Sequence, residues 1–318
     1  SHSVGLWRLL HRAGTGGMAE VWIGEHSLIK ARAAVKIVTS VRADAHAALL
    51  HEVRAAARLT HPNIVRIFDV AEPGADEHAW FAMEPATGGS LHGALDGSMP
   101  WRRIHHMLRG LLNGLGHAHA RGVVHRDIKP ENVLLFEDGA KLTDFGLAWS
   151  MGVDGSAVRA GSASFMAPEQ IDGDWRDFGP ATDLYSLGAT VWAVLTGEPP
   201  FNRLTVSDLL AAHLYDEPPE FEPIVEAPPG IEDWLRRLLS KVPGKRYPDA
   251  ATALDGLERC VAPFRTRVPA PQDPYEDFGM LADNITPAPG RRLSMETRPV
   301  PDDWRDREGG GAMRGLGL

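Results

Sequence analysis

The chain has 318 residues, 43% of them hydrophobic and 24% charged, which is typical of a folded globular protein with one large domain or two small ones. Its single cysteine, Cys260, excludes an intrachain disulfide framework and a cysteine-rich zinc site. A net charge of −9 disfavours nucleic-acid binding, which needs a basic face, and favours basic protein partners.

The first part of the chain is predicted to be a sheet with one helix on it. Residues 4–39 alternate apolar and polar positions around glycines, which predicts short antiparallel strands. Apolar residues at helical spacing predict a helix over 44–59. Two further strands are predicted over 64–70 and 80–83, and the turn residues of 85–89 indicate a linker.

The remainder is predicted to be mostly helical, with helices over residues 101–121, 183–196, 205–214 and 231–239. From residue 263 the sequence is rich in proline, aspartate and arginine, so 263–318 is expected to be a tail. No apolar run approaches the roughly 18 residues of a membrane span. Because the cysteine usage fits a reducing compartment, we expect a cytoplasmic protein.

A glycine-rich segment joins two of the predicted strands. Glycine lets backbone N–H groups approach phosphate oxygens, so the segment can hold a nucleotide. A plain hairpin turn is the alternative interpretation, and a dinucleotide fingerprint is disfavoured because a strand follows rather than a helix. The candidate nucleotide-binding residues are Gly14, Thr15, Gly16, Gly17, Met18, Ala19 and Val21.

Two charged residues come after this segment. Lys36 ends a short apolar strand, where alternation places it under the glycines and within reach of phosphates. Glu52, on the predicted helix, is its expected partner. Taken singly, either residue is more often a plain solvated charge, so their assignment depends on the motifs downstream.

Two motifs further along the chain contain residues that each have a defined catalytic task and stand at a fixed spacing. They are His125-Arg126-Asp127-Ile128-Lys129-Pro130-Glu131-Asn132 and Asp144-Phe145-Gly146. Over about residues 5–260 the chain resembles the eukaryotic-type (Hanks-type) serine/threonine protein kinases. It is most similar to their bacterial branch, through its Gly-Gly-Met-Ala-Glu-Val loop and its Gly-Glu-Pro-Pro-Phe segment.

The resemblance implies an α+β, bilobal protein-kinase fold that holds ATP between a small β-rich N-lobe and a larger, mainly helical C-lobe. The implied division is an N-lobe over 1–83, a hinge over 84–89, a C-lobe over 90–262 and a Pro-rich tail over 263–318. The implied activity is transfer of the ATP γ-phosphoryl group to serine and threonine hydroxyls of protein substrates, including the kinase itself.

The resemblance also implies the catalytic roles. Asp127 would accept the proton of the substrate hydroxyl, and Lys129 would steady the transferring phosphate. Lys36, paired with Glu52, would contact the α- and β-phosphates. The metal ligands would be Asn132 and Asp144, whose oxygens suit Mg²⁺ or Mn²⁺.

By the same resemblance, adenine would lie between Val21 and Ala34, with Met83 as the gatekeeper. Glu84 and Ala86 would belong to the hinge whose backbone meets the base. Without the motifs, the apolar members of this set would read as ordinary core residues. Further structural matches are Ala167-Pro168-Glu169 with Arg246, and Asp183 as the anchor of the catalytic loop.

Lys129 and the segment 161–165 favour serine/threonine over tyrosine substrates. Arg126 before Asp127 indicates activation by a phosphorylated loop residue, while Trp149 replaces the second basic partner usual in such kinases. The candidate acceptors in the loop are Ser150, Ser156, Ser162 and Ser164. In the tail, Ser294 follows Arg291-Arg292-Leu293, so the tail is either a cis substrate or inhibitor, or a solvated linker.

Two alternatives to an active protein kinase stay open. A catalytically silent scaffold would keep the fold, but such proteins normally lose a lysine, base or metal ligand that this chain retains. A small-molecule kinase would lack the Ala-Pro-Glu segment that builds a peptide platform. The expected partners are ATP and protein substrates, with no nucleic acid and no membrane span, and a homodimer is left open.

Overall fold

A computed structural model describes residues 2–15, 19–39, 46–71, 78–146, 160–172 and 178–265. Its first part is a six-stranded sheet in which consecutive neighbours are antiparallel, in the order β1-β2-β3-β4-β6-β5. The strands are β1 (Ser3–Val4), β2 (Trp7–Thr15), β3 (Ala19–His26), β4 (Arg32–Val38), β5 (Ile67–Val70) and β6 (Ala79–Met83).

Helix α1 (His46–Ala57) packs on this sheet beside β5 and β6. Its buried Leu49, Leu50 and Val53 recur at helical spacing and meet the buried residues of β4 and β6. All five residues of β6 are buried, as expected for a strand covered on both faces. The sheet and α1 therefore share one hydrophobic core.

The second part is helical, with α2 (Trp101–His119), α3 (Ala160–Ala163), α4 (Pro168–Ile171), α5 (Pro180–Thr196), α6 (Val206–Tyr215), α7 (Ile231–Leu238) and α8 (Ala250–Arg265). Helix α5 is buried on nearly every side, and α2, α7 and α8 surround it and one another to form a second core. It ends at Gly197, whose φ of 87° provides the left-handed C-cap.

A hairpin of β7 (Val133–Phe136) and β8 (Gly139–Leu142) lies between the two cores. Along β7 the side chains alternate in the manner of a strand. Val133 and Leu135 belong to the core of the helices, while Phe136 belongs to the core of the sheet and Leu134 packs against it. The hairpin thus places the residues just before β7 and just after β8 at the junction of the two parts.

The predicted α+β architecture of a β-rich lobe followed by a helical lobe is confirmed. The predicted helices appear within a few residues of their expected ends, and the strands predicted over 64–70 and 80–83 appear as β5 and β6. Helix α8 and the β7–β8 hairpin were not predicted. Among the described residues, no helix has the length and apolar content that crossing a membrane requires.

Candidate active site

The catalytic loop, residues 125–132, runs between α2 and β7 and is anchored by one buried carboxylate. Asp183, in the first turn of α5, accepts hydrogen bonds from the backbone N–H of His125 and of Arg126, each at 2.8 Å. The Nε2 atom of His119 lies 2.7 Å from the same carboxylate. A carboxylate near a helix N-terminus is also favoured by the helix dipole. Asp183 therefore fixes the start of the loop, as its predicted anchoring role requires.

The polar residues of the loop converge on Asp127. Its Oδ2 atom accepts from Lys129 Nζ at 2.7 Å and from Asn132 Nδ2 at 2.9 Å. Lys129 Nζ also donates to Ser162 Oγ at 2.7 Å, and Asn132 Nδ2 to the Asp127 carbonyl oxygen at 2.7 Å. The geometry brings together Asp127, Lys129, Asn132 and Ser162, and only one carboxylate oxygen of Asp127 is used in these bonds.

Asp144 follows β8 with a left-handed backbone, φ 64°. Its Oδ2 atom lies 2.5 Å from Lys36 Nζ, so the lysine of β4 meets a carboxylate of the helical lobe. The backbone N–H of Thr143 donates to the Asn132 carbonyl at 3.0 Å, which ties the segment to the catalytic loop. Lys36, Asp127, Asn132 and Asp144 are thus gathered at one junction between the lobes.

The oxygen atoms at this junction fit a hard cation. Asp144 Oδ1 is buried and has no hydrogen-bond partner within the described part of the chain. An unpaired buried carboxylate oxygen is costly unless it meets a cation or a donor. Within the described residues, both side-chain hydrogen bonds of Asn132 use Nδ2, so its amide oxygen is available to a metal.

His125, in the catalytic loop, packs against the residues that surround Asp144. Its ring is fully buried, lies 4.4 Å from the Phe145 ring between centroids, and contacts the Thr143 carbonyl through Nε2 at 2.8 Å. Burial lowers the pKa of His125, although the carboxylates of Asp183 and Asp127 act in the opposite direction. A neutral imidazole therefore packs under the Asp-Phe-Gly segment.

Glu52 differs from its expected arrangement. In the described residues, the ion pair of Lys36 is with Asp144, whereas Glu52 Oε1 lies 3.9 Å from Arg126 Nη1. The Glu52 carboxylate also lies against Gly146, where a Cβ would come within 2.8 Å of its Oε2 atom. Glu52 therefore reaches the catalytic loop and the Asp-Phe-Gly segment rather than the lysine.

The predicted adenine residues belong to the core of the sheet or pack against it. Ala34 pairs with Met83 in register across β4 and β6, and both are buried. Val21 and Ala86 are half-buried and pack against the core of the sheet. The sequence analysis missed Leu134, which packs there from the helical lobe; its signal was the apolar run directly after Asn132.

Glu84, in the predicted hinge, contacts residues on either side of it in the chain. Its Oε1 atom lies 2.6 Å from Lys141 Nζ on β8, while its backbone N–H donates to the Arg66 carbonyl oxygen at 2.9 Å. Of the glycine-rich segment, Gly14 and Thr15 end β2 and Ala19 begins β3, and these two strands are paired. Gly16, Gly17 and Met18 lie outside the described residues.

The substrate platform, residues 162–169, is anchored by a buried ion pair. Arg246 forms two bonds with the Glu169 carboxylate, at 2.7 and 2.8 Å, and its side chain is 0% exposed. The predicted Glu169–Arg246 pair is therefore present.

Of the candidate phosphorylation sites, Ser162 bonds Lys129 and Ser164 lies in the platform, whereas Ser150, Ser156 and Ser294 lie outside the described residues.

Comparison with known proteins agrees with this geometry. The model of the protein kinase domain family matches residues 7–255. The serine/threonine-protein kinase PknL of Mycobacterium tuberculosis (strain H37Rv) is 32% identical over 81% of this chain and 67% of its own length. PknA of the same strain is 32% identical over 95% of this chain and 74% of its own length. The kinase pkn2 of Myxococcus xanthus is 33% identical over 80% of this chain and 32% of its own length.

The matched segment contains both lobes, the catalytic loop and the substrate platform. The chain therefore belongs to the protein kinase family, and within it to the bacterial branch of the eukaryotic-type serine/threonine kinases.

Proposed function

We propose that the chain transfers the γ-phosphoryl group of ATP to serine and threonine hydroxyls of protein substrates and of itself, with the residue roles given below. The observation that carries the proposal is the meeting of Lys36, Asp127, Asn132 and Asp144 at one junction. Phosphoryl transfer depends mainly on positioning and electrostatic stabilisation, so such a gathering of one cation, two carboxylates and an amide is what the reaction needs.

Asp127 is the group that orients the substrate hydroxyl and accepts its proton. Lys129 Nζ and Asn132 Nδ2 hold the Oδ2 atom, which fixes the rotamer and leaves Oδ1 for the hydroxyl. Lys129 also places a positive charge where negative charge develops on the transferring phosphoryl group. Its bond to Ser162 joins this charge to the peptide platform.

Asp144 and Asn132 would hold Mg²⁺ or Mn²⁺ through the orphaned Asp144 Oδ1 and the Asn132 amide oxygen. Such an ion, when bound, neutralises phosphate charge. Lys36, already beside Asp144, would contact the α- and β-phosphates. Glu52 is proposed to exchange its contact with Arg126 for one with Lys36 in the reacting complex.

The base of ATP is proposed to lie between Val21 and Ala34 above and Leu134 below, beside Met83. These apolar side chains match the two faces of a purine ring, and backbone groups of Glu84 and Ala86 are the expected partners of its edge. We further propose the predicted lobe boundaries, a cytoplasmic location and regulation through Arg126. The candidate acceptors are Ser150, Ser156, Ser162, Ser164 and Ser294.

The test is transfer of labelled phosphate from ATP to a basic protein and to the chain itself, compared with Asp127→Asn. This substitution keeps the size of the side chain but removes the proton acceptor, so we expect kcat to fall by about 100-fold or more. Phosphoamino-acid analysis should give phosphoserine and phosphothreonine, and a chelator should abolish the activity.

The control is Asp249→Asn, because Asp249 caps α8 outside the junction and bonds Thr252. It should keep the wild-type kcat. A wild type that binds ATP but transfers no phosphate would instead support the catalytically silent scaffold.

A further inference from the structure

Arg126, the residue before Asp127, has an unfavourable backbone conformation that contacts with its neighbours must stabilise. Arg126 has φ 66°, in the left-handed region that residues with a Cβ disfavour. Such conformations persist where surrounding contacts fix them, and they occur often at functional sites. One such contact is known already, since the Arg126 N–H donates to Asp183 Oδ1 at 2.8 Å.

The other side of this residue is held by Gln170, which the sequence analysis did not single out. Gln170 lies on α4 and is 9% exposed. Its Nε2 atom donates to the Arg126 carbonyl oxygen at 2.8 Å, and its Oε1 atom accepts from the backbone N–H of Ala167 at 3.0 Å. One side-chain amide therefore bridges the catalytic loop and the Ala-Pro-Glu end of the substrate platform.

The two bonds require the chemistry of an amide. Glutamine offers a donor and an acceptor at the end of one neutral side chain, whereas glutamate offers acceptors and methionine offers neither strong donor nor strong acceptor. Because the group is buried, water cannot replace either bond at low cost. The adjacent Glu169 of α4 forms two bonds with the buried Arg246. Two neighbouring side chains of α4 are therefore held by buried hydrogen bonds.

We propose that Gln170 is a positioning residue that sets the Arg126–Asp127 peptide relative to the bound protein substrate. The proposal rests on the proposed function, because it assigns Gln170 a part in the same phosphoryl transfer. The link is separate from the Lys129–Ser162 bond, which lies toward the other end of the platform. Gln170 couples the catalytic aspartate to the platform through backbone atoms, not through another catalytic side chain.

Two substitutions separate the two bonds. Gln170→Glu keeps an acceptor for the Ala167 N–H but turns an oxygen toward the Arg126 carbonyl, so we expect kcat to fall about tenfold. Its KM for ATP and its KM for the protein substrate should stay within about twofold of the wild type. Gln170→Met loses both bonds, so we expect the same fall in kcat and, in addition, a rise of about fivefold in the KM for the protein substrate.

The matched control is Thr196→Val, which removes hydroxyl bonds to the Trp192 and Glu198 carbonyls in the same lobe. It should keep kcat and both KM values. Thermal melting shows whether each variant folds. If one does not, Gln170→Asn is used in its place. Its amide is one methylene shorter, so it should show the same kcat and KM changes as Gln170→Met. A kcat of Gln170→Glu within twofold of the wild type overturns the inference. A wild type that transfers no phosphate overturns the proposed function instead.

Discussion

At the scale of single residues, His213 shows how burial controls a titratable group. The residue lies in α6, fully buried, with Nδ1 2.9 Å from the Tyr185 hydroxyl and its ring 4.9 Å from the Phe201 ring. Burial, followed by the charge of Lys241, lowers the pKa of His213 to about 3, while a backbone group of Ser164 acts in the opposite direction. His213 is therefore neutral in the folded chain at every ordinary pH.

This depressed pKa predicts a loss of stability in acid. The unfolded histidine, with a pKa near 6.5, binds a proton below that pH while the folded one does not, so the free energy of unfolding falls as pH decreases from about 6.5 toward 3. Between pH 7 and pH 5 the contribution is about 2 kcal/mol.

The measurement is urea unfolding at the two pH values for the wild type and for His213→Asn, which keeps a polar atom near the Nδ1 position. The variant should lose about 2 kcal/mol less than the wild type over this interval. Equal losses would show that His213 does not titrate in this way.

At the scale of elements, close packing decides where a glycine is needed. Gly188 lies in the interior of α5, where an added Cβ would come within 2.8 Å of Leu238 Cβ on α7. Gly116 lies in α2, and a Cβ there would meet Ala250 at 3.8 Å, an ordinary contact. The same residue type therefore permits a helix crossing at one place and only weakens the helix at the other.

We predict opposite effects of one substitution at these two sites. Gly188→Ala should lower the free energy of unfolding by about 1–3 kcal/mol, because α5 and α7 must move apart. Gly116→Ala should raise it by about 0.5–1 kcal/mol, because alanine favours the helix and the site accepts the methyl group. Chemical unfolding of the two variants measures both, and each serves as the other's control. Stabilisation by Gly188→Ala would contradict the close approach of the helices.

The sequence predicted the elements in which apolar residues recur regularly over enough positions to define a helix or a strand. The buried helix over 183–196 and the strand over 80–83 have continuous or regular apolar patterns, so they could be found from the sequence alone. The strands of the β7–β8 hairpin have only four residues each, and α8 mixes small and charged residues, so neither gave a clear period.

The same limit applies within the site. Asp127, Asn132 and Asp144 belong to two motifs with fixed spacing, so the sequence alone predicted them as site residues. Gln170 has no such signature, because its two bonds depend on where distant backbone groups come to lie. The contact of Glu52 with Arg126 likewise depends on the approach of α1 to the catalytic loop.

At the scale of the whole molecule, the proposed ATP site joins the two lobes. Lys36 of the sheet lobe pairs with Asp144 of the helical lobe, and Glu84 of the hinge pairs with Lys141 of β8. A ligand that binds at this junction contacts both lobes in the folded state and neither in the unfolded state. Binding should therefore stabilise the whole chain by mass action.

We predict that a non-hydrolysable ATP analogue with Mg²⁺ raises the free energy of unfolding by about 2.7 kcal/mol at 100 times its dissociation constant. A chelator should remove most of the effect, because Asp144 Oδ1 needs a cation to oppose the phosphates. Calorimetry measures the shift. Asp144→Asn should lose the metal-dependent part, whereas Asp249→Asn should keep it, and an equal shift in both variants would contradict the assigned metal site.

Alternate side chains of β7 enter different hydrophobic cores, and this has a consequence for how the chain unfolds. Phe136 cannot leave the core of the sheet without pulling on Leu135, its neighbour in the core of the helices. The four consecutive residues of β7 contribute to both cores, so unfolding of either lobe would remove apolar contacts from the other. The two lobes should therefore lose their structure in a single cooperative transition, with equal calorimetric and van't Hoff enthalpies, rather than in two steps.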